Sequence, residues 1–384
     1  MTVQGPIEFA CDGSLPVLVF ANIITTADAT NMEQVNANAM TIKAIYRKTG
    51  STGRWRTVTF RGRASYSCAS GEIVESDPLS FRHKQGDKID VRLYVSGTNM
   101  PAHMKSNLSA GYIINDGADK IDGSTITNSG AYGGNGGDMP WFLCVHSIPD
   151  DPNQRGVVAI GDSILDGNSA ITAYNAFKPD RGWQTQILTG LKTPWVCISR
   201  NAFLLSSLID ATNNTVKTTQ TALSYVMKYA TDVWCSLGTN DFNNIIDQLT
   251  FQNAIRSYAR ILTECFTNDG LRVWWSTVTP YSARTTGDVE VQPLSYPSSN
   301  MDAASFGQLN SFNDWLRAGN LVPTNRVIEA ADVIQVVRNN IAARIEFLNT
   351  GGVTPDSIPV HPNPAGEAAL VSACTAQVQA ALLS

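Results

Sequence analysis

Three short segments of this chain carry side chains that can do nucleophilic chemistry together. Gly161-Asp162-Ser163 directly follows an apolar run at 157–160. A serine in a tight strand-to-helix turn presents its hydroxyl at a sheet edge, where the first N–H groups of the helix also point. That suits a nucleophile whose own N–H helps hold an oxyanion; the plainer reading is a helix N-cap. Gly238-Thr239-Asn240-Asp241 follows a second apolar run at 232–237. An asparagine amide at a strand end is a good oxyanion donor, although glycine and asparagine also simply favour turns. Val360-His361-Pro362-Asn363-Pro364 leads into the C-terminal helical segment, and a histidine at a loop-to-helix junction can serve as general base. The chain has four histidines. His83, His103 and His146 lie before residue 150 without metal-ligand spacing and read as structural.

The elements that must position these residues change character along the chain. The first 150 residues read as β structure. Ile89, Val91, Leu93 and Val95 alternate with polar neighbours, as do Met40, Ile42, Ala44 and Tyr46, the period of a half-buried strand. A shorter piece lies at 58–60, and no long helical period interrupts them. A β-sandwich or jelly-roll-like module is expected. The glycine-rich GAYGGNGGD at 130–138 neither follows a strand nor opens a helix, so it reads as a loop and not a phosphate cradle. IPDDPNQR at 148–155 reads as the linker, dividing the chain into a β-rich accessory domain (1–150) and a catalytic domain (151–384).

Beyond the linker, apolar runs at 157–160, 195–198, 232–237, 272–278 and 326–328 alternate with helical periods. Phe251, Ala254, Ile255, Tyr258, Leu262, Cys265 and Phe266 share one helix face. Ala222, Leu223, Val226, Met227 and Ala230 share another. Pro364 stands near the first turn of the last helix, where proline is tolerated. Continuous apolar strands between amphipathic helices imply a parallel sheet covered on both faces, with ligands beyond its carboxyl ends.

Composition bounds the rest. The chain has 384 residues, 43% hydrophobic, which is ample for a core, and a net charge of −5. A nucleic-acid binder built on a basic surface is not expected. Seven cysteines, an odd number, show no CxxC spacing and support no zinc or redox motif. Cys197, Cys235, Cys265 and Cys374 sit in apolar runs and read as small buried hydrophobes. No run of 18 apolar residues suggests a membrane span, and no signal peptide is visible at the start. Low charge with many Ser, Thr, Asn and Gly residues points to a secreted or periplasmic protein.

Taken in order, the three motifs resemble those of the SGNH hydrolases, or GDSL esterases and lipases: Gly-Asp-Ser at 161–163, Gly-x-Asn-Asp at 238–241 and His-Pro at 361–362. The resemblance spans about 155–384 and includes GLRVWWSTVTPY at 270–281. The stretches at 60–81 and 89–97 look like the β module that precedes the catalytic domain in some bacterial members. The resemblance implies a three-layer α/β/α, flavodoxin-like catalytic domain with a parallel sheet. It implies Ser163 as nucleophile and His361 as base, with Asn240 and the Ser163 N–H holding the oxyanion. It implies no metal or organic cofactor.

Two positions depart from the family pattern. Arg200 stands where a glycine N–H usually completes the oxyanion hole. Its backbone can serve if its φ/ψ suits a non-glycine residue, while its guanidinium can bind an acidic substrate or point to solvent. The triad acid belongs three residues before the histidine, where Ile358 stands. Asp356, five before, can reach if the chain bulges around Pro355 and Pro359. A dyad oriented by a backbone carbonyl and a remoter acid at Asp332 are the alternatives. The substrate expected is a small acyl or acetylated carbohydrate ester, with lipid or lysophospholipid esters as the alternative. Trp183, Trp274 and Tyr281 can line the site, though such aromatics are more often core. The competing class is a binding or structural protein that keeps the hydrolase fold without activity.

Overall fold

The computed structural model describes residues 2–24, 34–35, 37–97, 113–115, 119, 121, 142–165, 182–199, 203–217, 220–243, 248–279, 303–334, 362 and 364–384. His103, 130–138, Arg200, Tyr281, Asp356 and His361 lie outside them.

The N-terminal part pairs two antiparallel sheets. One runs in the order Ile113–Asn115, Thr2–Glu8, Lys88–Gly97, Met40–Lys48 and Arg56–Val58, with Tyr66–Cys68 also on Met40–Lys48. The other runs Phe142–Pro149, Gly13–Ala21 and Ile73–Glu75, with Arg82–His83 also on Gly13–Ala21. The alternation read at 40–46 and 89–95 sets the register: Val91 faces Tyr46, Leu93 faces Ala44 and Val95 faces Ile42. These side chains meet Leu18, Phe20 and Val74 of the second sheet in one core.

Gly13–Ala21 is buried on both faces, because alternate residues serve two cores. Leu18 and Phe20 point into the sandwich, while Val17, Val19 and Ala21 join Val158, Ile160, Leu223 and Val226 of the C-terminal part. A strand covered on both sides needs no polar face, which is why period-2 reading does not single it out. Two hydrogen bonds and a ring stack also tie the two parts. Glu75 Oε1 accepts from the hydroxyls of Tyr225 and, at 2.9 Å, Tyr229, and the His146 ring stacks on Tyr229 at 4.2 Å. Strand Phe142–Pro149 runs two residues into the segment read as the linker.

The C-terminal part is a five-stranded parallel sheet between helices. In chain order its strands are Val157–Gly161, Trp195–Ser199, Asp232–Ser236, Arg272–Ser276 and Val327–Ile328. In space the first lies between the second and third, followed by the fourth and fifth. This is the 2-1-3-4-5 order of flavodoxin-like folds. Most strand residues divide between two cores, while Ala159 and Cys197 form a small cluster with Leu165. Val158, Ile160, Val233, Cys235, Val273 and Trp275 pack against helices Leu205–Leu208, Thr221–Met227, Gln248–Asn268 and Ala303–Arg317. Val157, Trp234 and Trp274 pack against Trp183–Gly190 and Pro364–Leu383. All seven cysteines are free; of the four read as buried hydrophobes, Cys265 alone is partly exposed. No helix among the described residues is long and apolar enough to cross a membrane.

Candidate active site

In a 2-1-3-4-5 sheet the connections leaving the first and the third strands run to opposite sides, opening a crevice at their carboxyl ends. Gly161-Asp162-Ser163 and Gly238-Thr239-Asn240 end those two strands, so topology alone places both motifs at the crevice.

The first turn is built from its own sequence. A side chain at Gly161 would place its Cβ 2.6 Å from Leu165 Cβ, so only glycine lets the chain fold back so tightly. Asp162 Oδ1 accepts the Ile164 N–H at 3.0 Å, an Asx turn that fixes the backbone around Ser163. Ser163 is 3% exposed. The opposite turn also needs glycine: Gly238 has φ +127°, and a Cβ there would lie 2.9 Å from Val278.

Asn240 joins three strand ends. Its Nδ2 donates to Asp162 Oδ2 and to the Phe203 carbonyl, each at 3.2 Å. Both neighbours are acceptors, so the amide must present its NH₂ to them; the orientation follows from chemistry. Asp162 belongs to the turn after the first strand, and Phe203 to the stretch after the second. Both Nδ2 protons are thus engaged within the protein, at the long end of ordinary N–H···O distances. Donation to an oxyanion therefore requires one of them to be shared or exchanged.

Next to it, Asp241 is 2% exposed. Its Oδ2 accepts the Leu205 N–H at 2.8 Å, and its Oδ1 the Ser206 N–H at 3.4 Å. Burial raises its pKa to about 7, against the opposing pull of these backbone donors. Asp162 and Asp241 are the two residues whose roles the motif reading left undescribed. Their signal is a carboxylate beside each motif residue in a chain only 16% charged.

Other candidates take different places. Asp332 is exposed and accepts from Arg317 Nη2 at 2.9 Å, in a network with Glu329 and Asp314. Trp183 and Trp274 are core residues around Trp234, not site walls. Gln184, fully buried, donates to Ser236 Oγ at 2.9 Å beside Gly161, its register partner across the strands. His83 stacks on Phe9 and its Nδ1 lies 3.0 Å from the Cys11 carbonyl; burial lowers its pKa. Burial likewise lowers that of His146. Among the described residues, no three of His, Cys, Asp and Glu cluster as metal ligands would.

No protein-family profile matches the chain, and no curated protein matches it. Among solved structures it is similar to a family two carbohydrate esterase from Cellvibrio japonicus, at 13% identity over 100% of this chain and 90% of that one, TM-score 0.39. It is similar to a family two carbohydrate esterase with a carbohydrate-binding domain from Corynascus thermopiles, at 13% identity over 99% and 93%, TM-score 0.39. It is also similar to a GDSL-like lipase from Bacteroides thetaiotaomicron, at 16% identity over 60% and 88%, TM-score 0.36. At these identities and scores the reading of the site rests on its own geometry: a parallel sheet in flavodoxin-like order with a serine turn and an asparagine turn facing one crevice.

Proposed function

We propose that this chain is a serine ester hydrolase of the SGNH type. The observation that carries the reading is the meeting of Ser163 and Asn240 at adjacent strand ends of the topological switch, their turns joined through Asp162. In this reading Ser163 Oγ attacks the ester carbonyl carbon while His361 takes its proton. The tetrahedral oxyanion is held by the N–H groups of Ser163 and Arg200 and by Asn240 Nδ2. Collapse breaks the carbon–oxygen bond to the alcohol, which leaves with the proton from His361, and water releases the acyl group by the reverse sequence. Asp356 orients the imidazole. The chemistry needs no metal or organic cofactor.

Small acyl and acetylated carbohydrate esters are the substrates favoured over lipid esters, because the sequence offers no long apolar lid. The β-rich 1–150 serves as an accessory domain to 151–384. A second reading, a hydrolase-fold protein that binds without turnover, is favoured by one observation: both Asn240 Nδ2 protons already have acceptors. Incubation with p-nitrophenyl acetate and with a fluorophosphonate separates the two. Turnover with labelling at Ser163 supports the esterase; absence of both selects the binding protein.

A further inference from the structure

The 47–63 stretch of the chain, RKTGSTGRWRTVTFRGR, holds six cations and no acid in a protein of net charge −5. Two paired strands of the first antiparallel sheet, Met40–Lys48 and Arg56–Val58, flank the connection at 49–55 within it. They open a cleft of about 410 Å³ at one end of the β sandwich, within the range of small-ligand sites. Tyr46 and Phe81 line it, their rings stacked at 5.7 Å and 25°. Six cations also line it: Arg47, Lys48, Arg54, Arg56, Arg82 and Lys88.

Four of these are already neutralised. Arg47 pairs with Asp90, Lys48 with Asp87, Arg82 with Asp150 and Lys88 with Glu8. Arg54 and Arg56 are exposed, and their side chains make no ion pair or hydrogen bond among the described residues. Both line the cleft, and Arg56 stands opposite Tyr46 in register. Trp55 between them packs against the guanidinium carbons of Arg92 and Arg47, which lie 4.4 and 4.5 Å from its ring centroid. That packing holds the segment in place and leaves the two free guanidiniums at the cleft.

Planar guanidiniums recognise carboxylates by paired hydrogen bonds, and an aromatic wall suits the apolar face of a ring. We propose that this cleft is a second binding site, separate from the crevice at Ser163, for a carboxylate-bearing oligosaccharide of the uronic acid kind. The choice of a sugar as the ring-bearing anion rests on the carbohydrate-ester reading; the anion site itself does not. A nucleic acid is the less suited occupant, because the net negative charge of the chain opposes a long polyanion.

Calorimetric titration of the full chain with oligogalacturonate tests the proposal, with a neutral cello-oligosaccharide and a single-stranded DNA of matched length as comparisons. The expected result is saturable binding of oligogalacturonate alone, weakened by salt and unchanged in Ser163→Ala. Arg54→Gln/Arg56→Gln should bind about tenfold or more weakly while turning over p-nitrophenyl acetate at the wild-type rate. Absence of binding, equal binding of the neutral sugar or the DNA, or unchanged affinity in the double variant would overturn it. If the protein neither turns over ester nor labels at Ser163 yet binds oligogalacturonate through Arg54 and Arg56, the hydrolase reading fails and this site stands.

Discussion

Replacing Asp241 with asparagine should change how stability depends on pH, and by an amount the structure sets. The carboxyl is buried and its pKa is raised from the ordinary 3.8 to about 7. Below the unfolded value both states are protonated and ionisation costs nothing. Between the two values the unfolded chain has released a proton that the folded one keeps, so the folded state loses stability as pH rises. Above the folded value the loss is complete. A displacement of roughly 3 pK units corresponds to about 4 kcal/mol, incurred between about pH 4 and pH 7. Other carboxylates, among them Glu329, Asp77 and Asp87, have lowered pKa values and act in the opposite sense at lower pH. The difference between wild type and Asp241→Asn cancels them. Asparagine can keep the 2.8 Å bond to Leu205 N–H through its oxygen and yields only the 3.4 Å contact to Ser206. Denaturant unfolding at a series of pH values should therefore show the variant gaining on wild type by about 4 kcal/mol from pH 4 to pH 8. Parallel stability curves would show that Asp241 is ionised in the folded protein throughout and that burial does not control its charge.

The remaining predictions concern the crevice and the junction with the sandwich. Asn240→Ala should lower kcat about 10²–10³-fold with little change in KM, read from steady-state kinetics on p-nitrophenyl acetate; Asp162→Asn should lower it less, since it disturbs the amide without removing it. Asp356→Ala should cost on the order of 10⁴ in kcat. Asp332→Ala should leave activity near wild type, because that carboxylate is bound to Arg317; activity retained in both would favour a dyad at His361. Glu75→Ala removes the shared acceptor of Tyr225 and Tyr229 and should lower unfolding stability by about 1–2 kcal/mol without changing kcat.

Much of the scaffold was legible along the chain because its signals are local. Each of the five parallel strands coincides with an apolar run, and the helices Gln248–Asn268 and Thr221–Met227 coincide with apolar stripes at helical spacing. The alternation at 40–46 and 89–95 identified two neighbouring strands of the first sheet because one face of each is dry and the other is not. Gly13–Ala21 gave no such pattern, since both its faces are buried by elements distant in sequence. The loops at strand ends were marked by their residue types, but glycine, asparagine and serine signal a turn as readily as a site.

By itself, then, the sequence determined the order of the five parallel strands, the residues that must turn tightly at Gly161 and Gly238, and the pairing of a serine motif with an asparagine motif. Only the tertiary structure decided that these two turns face one crevice, because strand order in the sheet is not strand order in the chain. It also decided that Asp162 grips Asn240, that Asp332 belongs to Arg317, and that Trp183 and Trp274 are core. Each of these depends on groups 15 or more residues apart being brought within hydrogen-bonding or packing distance, which local propensity does not encode.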